Sequence, residues 1–328
     1  SGKTNLLEAI FVVCLGRSQR GAADLVLLNS GAEHYRLSGE VESGGRRVKL
    51  AVAYQKGGRK KVTLDGSLVR AAELYEHNSI VAAGPEDSQV LSGPPSGRRL
   101  FVDLYLSQLS RTYLADLSDY QRALVQKNAA LRNELDPSPF DPLLVQYGTR
   151  IMLERAEFLS ALTVKAVTGY AAITGGEELL VEYQPKVPFE SGKADAAGVA
   201  SAFRAALEKM EQRERAAQTS LVGPHRDEIG FIICGLPART HGSQGQWRAA
   251  AVALKLAVYE LIREKRGEAP VLLLDEIFAE LDNERAERLM ERFGGAGQIF
   301  LTTAGEPPDS LLHKARRFRL VGGEVREE

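Results

Sequence analysis

Hydrophobic positions recur along the chain with three different periods. Leu6, Leu7, Ile10, Phe11 and Val13 form one broad apolar side of a helix over residues 4 to about 15, and Gly16 supplies its stop. Short alternating runs follow at residues 35–41, 48–54 and 61–64. Ser43-Gly44-Gly45, Lys56-Gly57-Gly58 and Asp65-Gly66 punctuate them, a pattern that predicts antiparallel hairpins. Ile80-Val81-Ala82-Ala83 reads as a short strand, and the Gly- and Pro-rich residues 84–97 read as a loop.

From Arg98 the texture is helical. Leu104, Leu106, Leu109, Leu114, Leu117, Tyr120, Leu124 and Leu131 precede the break Asp136-Pro137-Ser138-Pro139, and Leu144, Tyr147, Ile151, Phe158 and Leu162 follow it. Spacings of three, four and seven predict helices packed in a bundle or short coiled coil. Acids and bases nearly balance there, so the segment reads as a structural arm with solvated faces. A strand at 177–184, a linker at 185–194 and an amphipathic helix at 199–217 complete it. The chain then returns to sheet-like texture at Leu221-Val222-Gly223-Pro224-His225-Arg226-Asp227-Glu228 and residues 229–233. His225 beside Arg226 and Asp227 reads as a hydrogen-bonded structural residue rather than a ligand.

A last long helix carries Val252, Leu256 and Tyr259 on one face. Beyond Pro270, Val271-Leu272-Leu273-Leu274 reads as a strand buried on both faces in a parallel sheet, ending in Asp275 and Glu276. Ligands of open α/β sheets bind at that end of the strands. Two adjacent carboxylates beside an apolar strand suggest Mg²⁺ and a polarised water; the competing reading is a strand running into an acidic, solvated turn.

Composition narrows the class. A chain of 328 residues with 44% hydrophobic content can bury one large core or two smaller ones. A net charge of -1 restricts any nucleic-acid contact to a local patch. The dense basic cluster is Lys56, Arg59, Lys60 and Lys61, which reads either as a contact to DNA phosphates or as a hairpin edge kept basic against aggregation. Cys14 and Cys234 lack zinc spacing and make no disulfide framework, which fits a reducing cytoplasm. The sequence has no apolar run long enough to span a membrane.

Ser1-Gly2-Lys3-Thr4 matches the second half of the phosphate-binding loop G-x-x-x-x-G-K-[ST] and opens into a helix. Because the numbering begins inside that motif, a first glycine and a preceding strand are expected upstream. Without them ATP binding would be weak. A second anion site is suggested at His241-Gly242-Ser243-Gln244-Gly245-Gln246-Trp247-Arg248, where a Ser cap and two glycines leave N–H groups at a positive helix end. Two such starts in one chain suggest a two-fold dimer in which each subunit completes the other's site.

Together the half Walker A, the Ser-Gln-Gly-Gln signature helix, the Leu-Leu-Leu-Asp-Glu Walker B and the Glu280-Leu281-Asp282 D-loop resemble the ABC-type ATPase head of SMC-related proteins. Pro85-Glu86-Asp87 with Arg98-Arg99, Gly223-Pro224-His225-Arg226-Asp227 and the short arm narrow this to a resemblance to the RecF recombination-mediator family over essentially the whole chain. The resemblance implies an α/β fold, an ABC-type P-loop ATPase head with an inserted α-helical arm. The head would comprise residues 1–97 and 221–328, and the arm 98–220. It also implies an ATP- and DNA-binding dimer that works with RecR and RecO to help load RecA at gaps. Ser1, Gly2, Lys3, Thr4, Ser243, Gln244, Gly245, Gln246 and Asp282 would meet the nucleotide. Thr4 and Asp275 would hold Mg²⁺, and Glu276 the attacking water in a weak ATPase serving as a dimerisation switch. The alternative is a non-hydrolysing SMC-like DNA clamp or scaffold. A transporter ATPase is disfavoured, since Thr302-Thr303 stands where such proteins carry a switch histidine. Glu276 and Glu228 depart from the Asp of many family members, and Ala279 from a Ser. Gln89 lies near where a Q-loop glutamine would be.

Overall fold

A computed structural model of the protein describes residues 2–189, 195–277, 297–303 and 315–327. Ser1 and residues 279–282, including Asp282, lie outside the described residues. The chain opens with α1 (Lys3–Leu15), followed by β1 (His34–Ser43), β2 (Arg46–Gln55), β3 (Lys61–Leu64), β4 (Ser67–Val69), α2 (Leu74–His77) and β5 (Ile80–Ala83). Next come α3 (Gln89–Ser92), α4 (Pro95–Leu109), α5 (Arg111–Arg132), α6 (Asp141–Thr174), β6 (Leu179–Gln184) and α7 (Ala196–Ala217). They lead to β7 (Glu228–Ile233), β8 (Leu236–Pro237), α8 (Ala238–His241) and α9 (Gln244–Arg266). The described strands of the C-terminal part are β9 (Val271–Asp275), β10 (Ile299–Thr302), β11 (Phe318–Val321) and β12 (Glu324–Glu327).

Two compact units emerge, Ser1–Ser88 with Ala251–Glu328, and Gln89–Ala250. The first draws its parallel sheet from both ends of the chain, in the order β10-β9-β5, with Val271 opposite Ile80 and Leu272 opposite Ile299. Leu272, Leu273 and Leu274 are buried, as a strand covered on both faces requires. A separate antiparallel sheet runs β1-β2-β3-β4; Gly44 and Gly45 turn its first hairpin at φ 56° and 73°, values that favour glycine. Helix α1 contacts both sheets, which explains why Phe11, Val12, Val13, Cys14 and Leu15 are all buried, although the sequence pattern suggested one apolar side. Val12 and Val13 pack with Val48, Leu50, Val52, Val62 and Leu74. Each such buried side chain contributes roughly 1.5–3 kcal/mol.

In the second unit α5, α6 and α7 pack as a bundle, and α6 also covers β6 of the sheet β6-β7-β8. The helices approach closely at Gly148, where a Cβ would come within 2.5 Å of the Phe203 ring. This unit is wider than residues 98–220, because the three-stranded sheet and α8 cluster with the helices. Two readings from the sequence need correction. Residues 221–227 form turns rather than strand, since Gly223 adopts φ 121° and β7 begins only at Glu228. The arm's charges are not confined to solvated faces either. Lys127, Arg155, Asp116 and Glu214 are buried, and each is matched by an opposite charge, without which burial would cost several kcal/mol. No described helix is long and apolar enough to cross a membrane.

Candidate nucleotide site and its surroundings

The first unit gathers five of the sequence-selected residues, Gly2, Lys3, Thr4, Asp275 and Glu276, at the C-terminal edge of its parallel sheet. Gly2 takes φ 86°, a left-handed conformation suited to glycine, and the chain then enters α1 with no side-chain cap and no acid in the first turn. That leaves an uncapped, electropositive helix end, the arrangement that favours a phosphate. From this turn the Lys3 ammonium donates to the Thr303 carbonyl at 2.6 Å and lies 3.7 Å from Glu276 Oε1. Thr4 is half-buried one residue further on.

Asp275 ends β9, and its Oδ1 accepts from the Thr302 hydroxyl at 2.5 Å. Glu276 follows at φ 50°, with its N–H held by the Thr302 carbonyl at 3.1 Å and by the Thr302 hydroxyl at 3.2 Å. Thr302 and Thr303 therefore belong to the site. From the sequence they registered only as the place where a histidine is not. Opposite Asp275, a Cβ on Gly84 would approach the Asp275 Cβ to 3.2 Å, so the loop after β5 abuts the carboxylate. Asp87 Oδ2 accepts the Gly84 N–H at 2.7 Å, and its Oδ1 pairs at 2.9 Å with the buried Lys255, which also donates to the Ala82 carbonyl at 2.6 Å.

These donors fit a nucleotide with a hard cation. Among the described residues no group of three or more His, Cys, Asp or Glu could cage a metal. Mg²⁺ does not need one, because one or two carboxylates plus phosphate oxygens and water satisfy it. Asp275 carries a carboxylate of that kind, and the Thr4 hydroxyl is a further oxygen that could join it.

In the second unit Ser243, Gln244, Gly245 and Gln246 open α9. The Ser243 hydroxyl accepts from the Gln246 N–H at 3.2 Å while Gln246 Oε1 accepts from the Ser243 N–H at 3.0 Å, a reciprocal capping box. Because capping uses only a lone pair of Ser243 Oγ, its O–H remains available to donate to an anion. Gly242 is required here, since a Cβ would strike the Trp247 indole, which donates to the Ala238 carbonyl at 2.7 Å. Gln89 is exposed at the start of α3.

The Gly223-to-Glu228 stretch is structural. Arg98 grips both oxygens of Glu228 at 2.7 and 2.9 Å. Arg155 donates to Asp103 at 2.7 Å and to the Pro224 carbonyl at 2.7 Å, while Tyr183 and the Lys186 N–H satisfy Asp227. His225 Nε2 faces the Ser220 carbonyl at 3.2 Å, which can only accept, so Nε2 carries the proton. Nδ1 then accepts from Tyr120 at 2.6 Å. Burial lowers the His225 pKa to about 4.

The basic cluster divides. Lys60 pairs with Asp24 at 3.0 Å, which also accepts from the Tyr35 hydroxyl, and Lys56 pairs with Glu33 at 3.3 Å. Arg59 and Lys61 are exposed.

No family model matches the chain. Curated proteins do. It is 37% identical to the DNA replication and repair protein RecF of Moorella thermoacetica over 98% of this chain and 87% of that protein. It is 38% identical to the RecF of a Synechococcus strain over 99% and 88%. Among solved structures, the recombination mediator protein RecF with ATP, of the RecFOR pathway, superposes with a TM-score of 0.90 and 29% identity, covering 100% of this chain and 88% of that one. The Pyrococcus furiosus Smc head bound to the C-terminal domain of ScpA gives 0.53 at 14% identity, over 100% and 87%, a likeness of fold alone.

Proposed function

This chain belongs to the RecF family of DNA replication and repair proteins, and from that premise we propose that it is an ATP-operated, DNA-binding dimer. The carrying observation is the convergence of the start of α1 with the end of β9, where Lys3 Nζ lies 3.7 Å from Glu276 Oε1. Lys3 and the α1 amides would hold phosphate oxygens, and Thr4 with Asp275 would hold Mg²⁺. Bound Mg²⁺ would supply the charge that neutralises the β- and γ-phosphates. Glu276 would orient a water and accept its proton, while Thr302 fixes the neighbouring carboxylate. Ser243 would donate to the γ-phosphate held by the partner subunit. RecR, RecO and gapped or double-stranded DNA are the partners that this family membership supports, with RecA loading as the outcome.

Glu276→Gln tests the chemistry. The variant keeps the polar shape of the site but loses the base, so it should retain nucleotide affinity, accumulate as an ATP-bound dimer and turn over about a hundredfold more slowly or less. Steady-state phosphate release and sedimentation with ATP read both effects. Wild-type turnover in this variant would remove Glu276 from the mechanism, and no turnover in the wild type would favour a non-hydrolysing clamp.

A further inference from the structure

The long arm helix α6 ends next to the signature segment, and one carboxylate joins them. Glu177 follows the left-handed glycines Gly175 and Gly176, with φ 79° and 117°, that turn the chain from α6 toward β6. Its N–H donates to the Thr174 hydroxyl at 3.2 Å, which in turn donates to the Tyr170 carbonyl at 2.8 Å, so the carboxylate is anchored to the last turn of α6. Glu177 Oε2 accepts two bonds, from the buried Tyr170 hydroxyl at 2.7 Å and from Gln246 Nε2 at 3.0 Å. The other end of that amide, Gln246 Oε1, holds the Ser243 N–H at 3.0 Å. Burial and the Glu177 carboxylate keep the Tyr170 phenol well above its ordinary range, so the hydroxyl stays a donor at any working pH.

We propose that Glu177 is a positioning residue for Ser243: by accepting from Gln246 Nε2 it orients the amide whose Oε1 holds the Ser243 N–H, which keeps the signature serine in place before nucleotide arrives and makes that placement depend on the last turn of the arm helix. The argument rests on the proposed role of Ser243 at the partner's nucleotide. The amide of Gln246 has two orientations. Only the one with Nε2 toward Glu177 aims Oε1 at the Ser243 N–H, so the carboxylate selects the orientation that completes the capping box. Ser243, Gln244 and Gly245 are exposed, and no burial fixes them. Without the carboxylate the first turn of α9 would fray, and ordering it would be paid at each association event, which weakens association.

The test uses the whole protein and three variants. In Glu177→Ala, amide exchange at Ser243 and Gln246, measured without nucleotide, should quicken about tenfold. The ATP concentration for half-maximal dimerisation should rise by a similar factor, while nucleotide affinity of the monomer stays unchanged. Glu177→Gln keeps an oxygen able to accept both bonds and should restore both readouts. Unchanged exchange in Glu177→Ala, or equal losses in the Ala and Gln variants, overturns the proposal. Ser243→Arg separates the two layers. If it dimerises normally with ATP, the shared-site reading fails, and the exchange measurement still decides whether Glu177 positions the serine.

Discussion

Glu276 sits at φ 50°, a conformation that costs a non-glycine residue roughly 1–2 kcal/mol, and two bonds from its N–H to Thr302 hold it there. Asp275 and Glu276 are legible in the sequence because an apolar run ending in acids marks the ligand-binding end of a parallel strand. Thr302 and Thr303 are not, because their roles depend on the pairing of β10 with β9, which brings residue 302 beside residue 275. His225 shows the opposite case, a polar residue in a conspicuous motif that proves to brace a turn. Its pKa is about 4 in the folded protein against an ordinary 6.5, so as pH falls the unfolded chain takes up the proton first. This contribution to stability is intact above pH 6.5 and is lost between about 6.5 and 4, at roughly 1.4 kcal/mol per pH unit. His225→Gln can donate to Ser220 and accept from Tyr120 without titrating. Urea unfolding across that range should show a steeper loss in the wild type than in the variant, and parallel losses would refute the assignment.

Among elements, the hairpins are legible nearly to the residue, since Gly-Gly and Asp-Gly turns fix where strands end. The arm is legible as helices but not in its interior. Near-balance of acids and bases looks the same whether charges face water or, like Lys127 between Asp141 and Glu214 at 2.7 Å, are sealed inside. The β2–β3 hairpin illustrates the same limit at the surface, because the structure turns a cluster of four cations into two that are paired and two, Arg59 and Lys61, that point to solvent without an ion pair among the described residues. If the hairpin touches duplex phosphates, the exposed pair should carry the contact. Replacing Arg59 and Lys61 by Ala should flatten the log-log salt dependence of DNA affinity by about 0.9 per lost contact without altering sequence preference, whereas Lys56→Ala with Lys60→Ala should change it far less. An unchanged slope in the Arg59, Lys61 variant would return the cluster to the role of a basic edge that discourages strand addition.

For the molecule as a whole, the parallel sheet joins residues near 80 to residues near 272 and 300, so the unit with Lys3, Asp275 and Glu276 exists only when both ends of the chain have folded together. Ser243 belongs to the other unit, yet Gln244–Arg266 is a single helix shared by the two. One chain thus carries, in two units, two helix starts proposed to receive phosphate, which a closed two-fold dimer would use with neither left over. Mixing variants tests this directly. In the proposed dimer, Lys3→Ala would remove the phosphate ligand of a chain's own nucleotide, and Ser243→Arg would obstruct the partner's. Each variant alone damages both composite sites of its homodimer and should stay monomeric with ATP. In the heterodimer both lesions fall in one site and the other is intact, so sedimentation of the mixture with ATP should show a dimer that neither variant forms alone. If the mixture also stays monomeric while the wild type dimerises, both sites must be filled for closure. If Ser243→Arg dimerises by itself, Ser243 does not complete the partner's site.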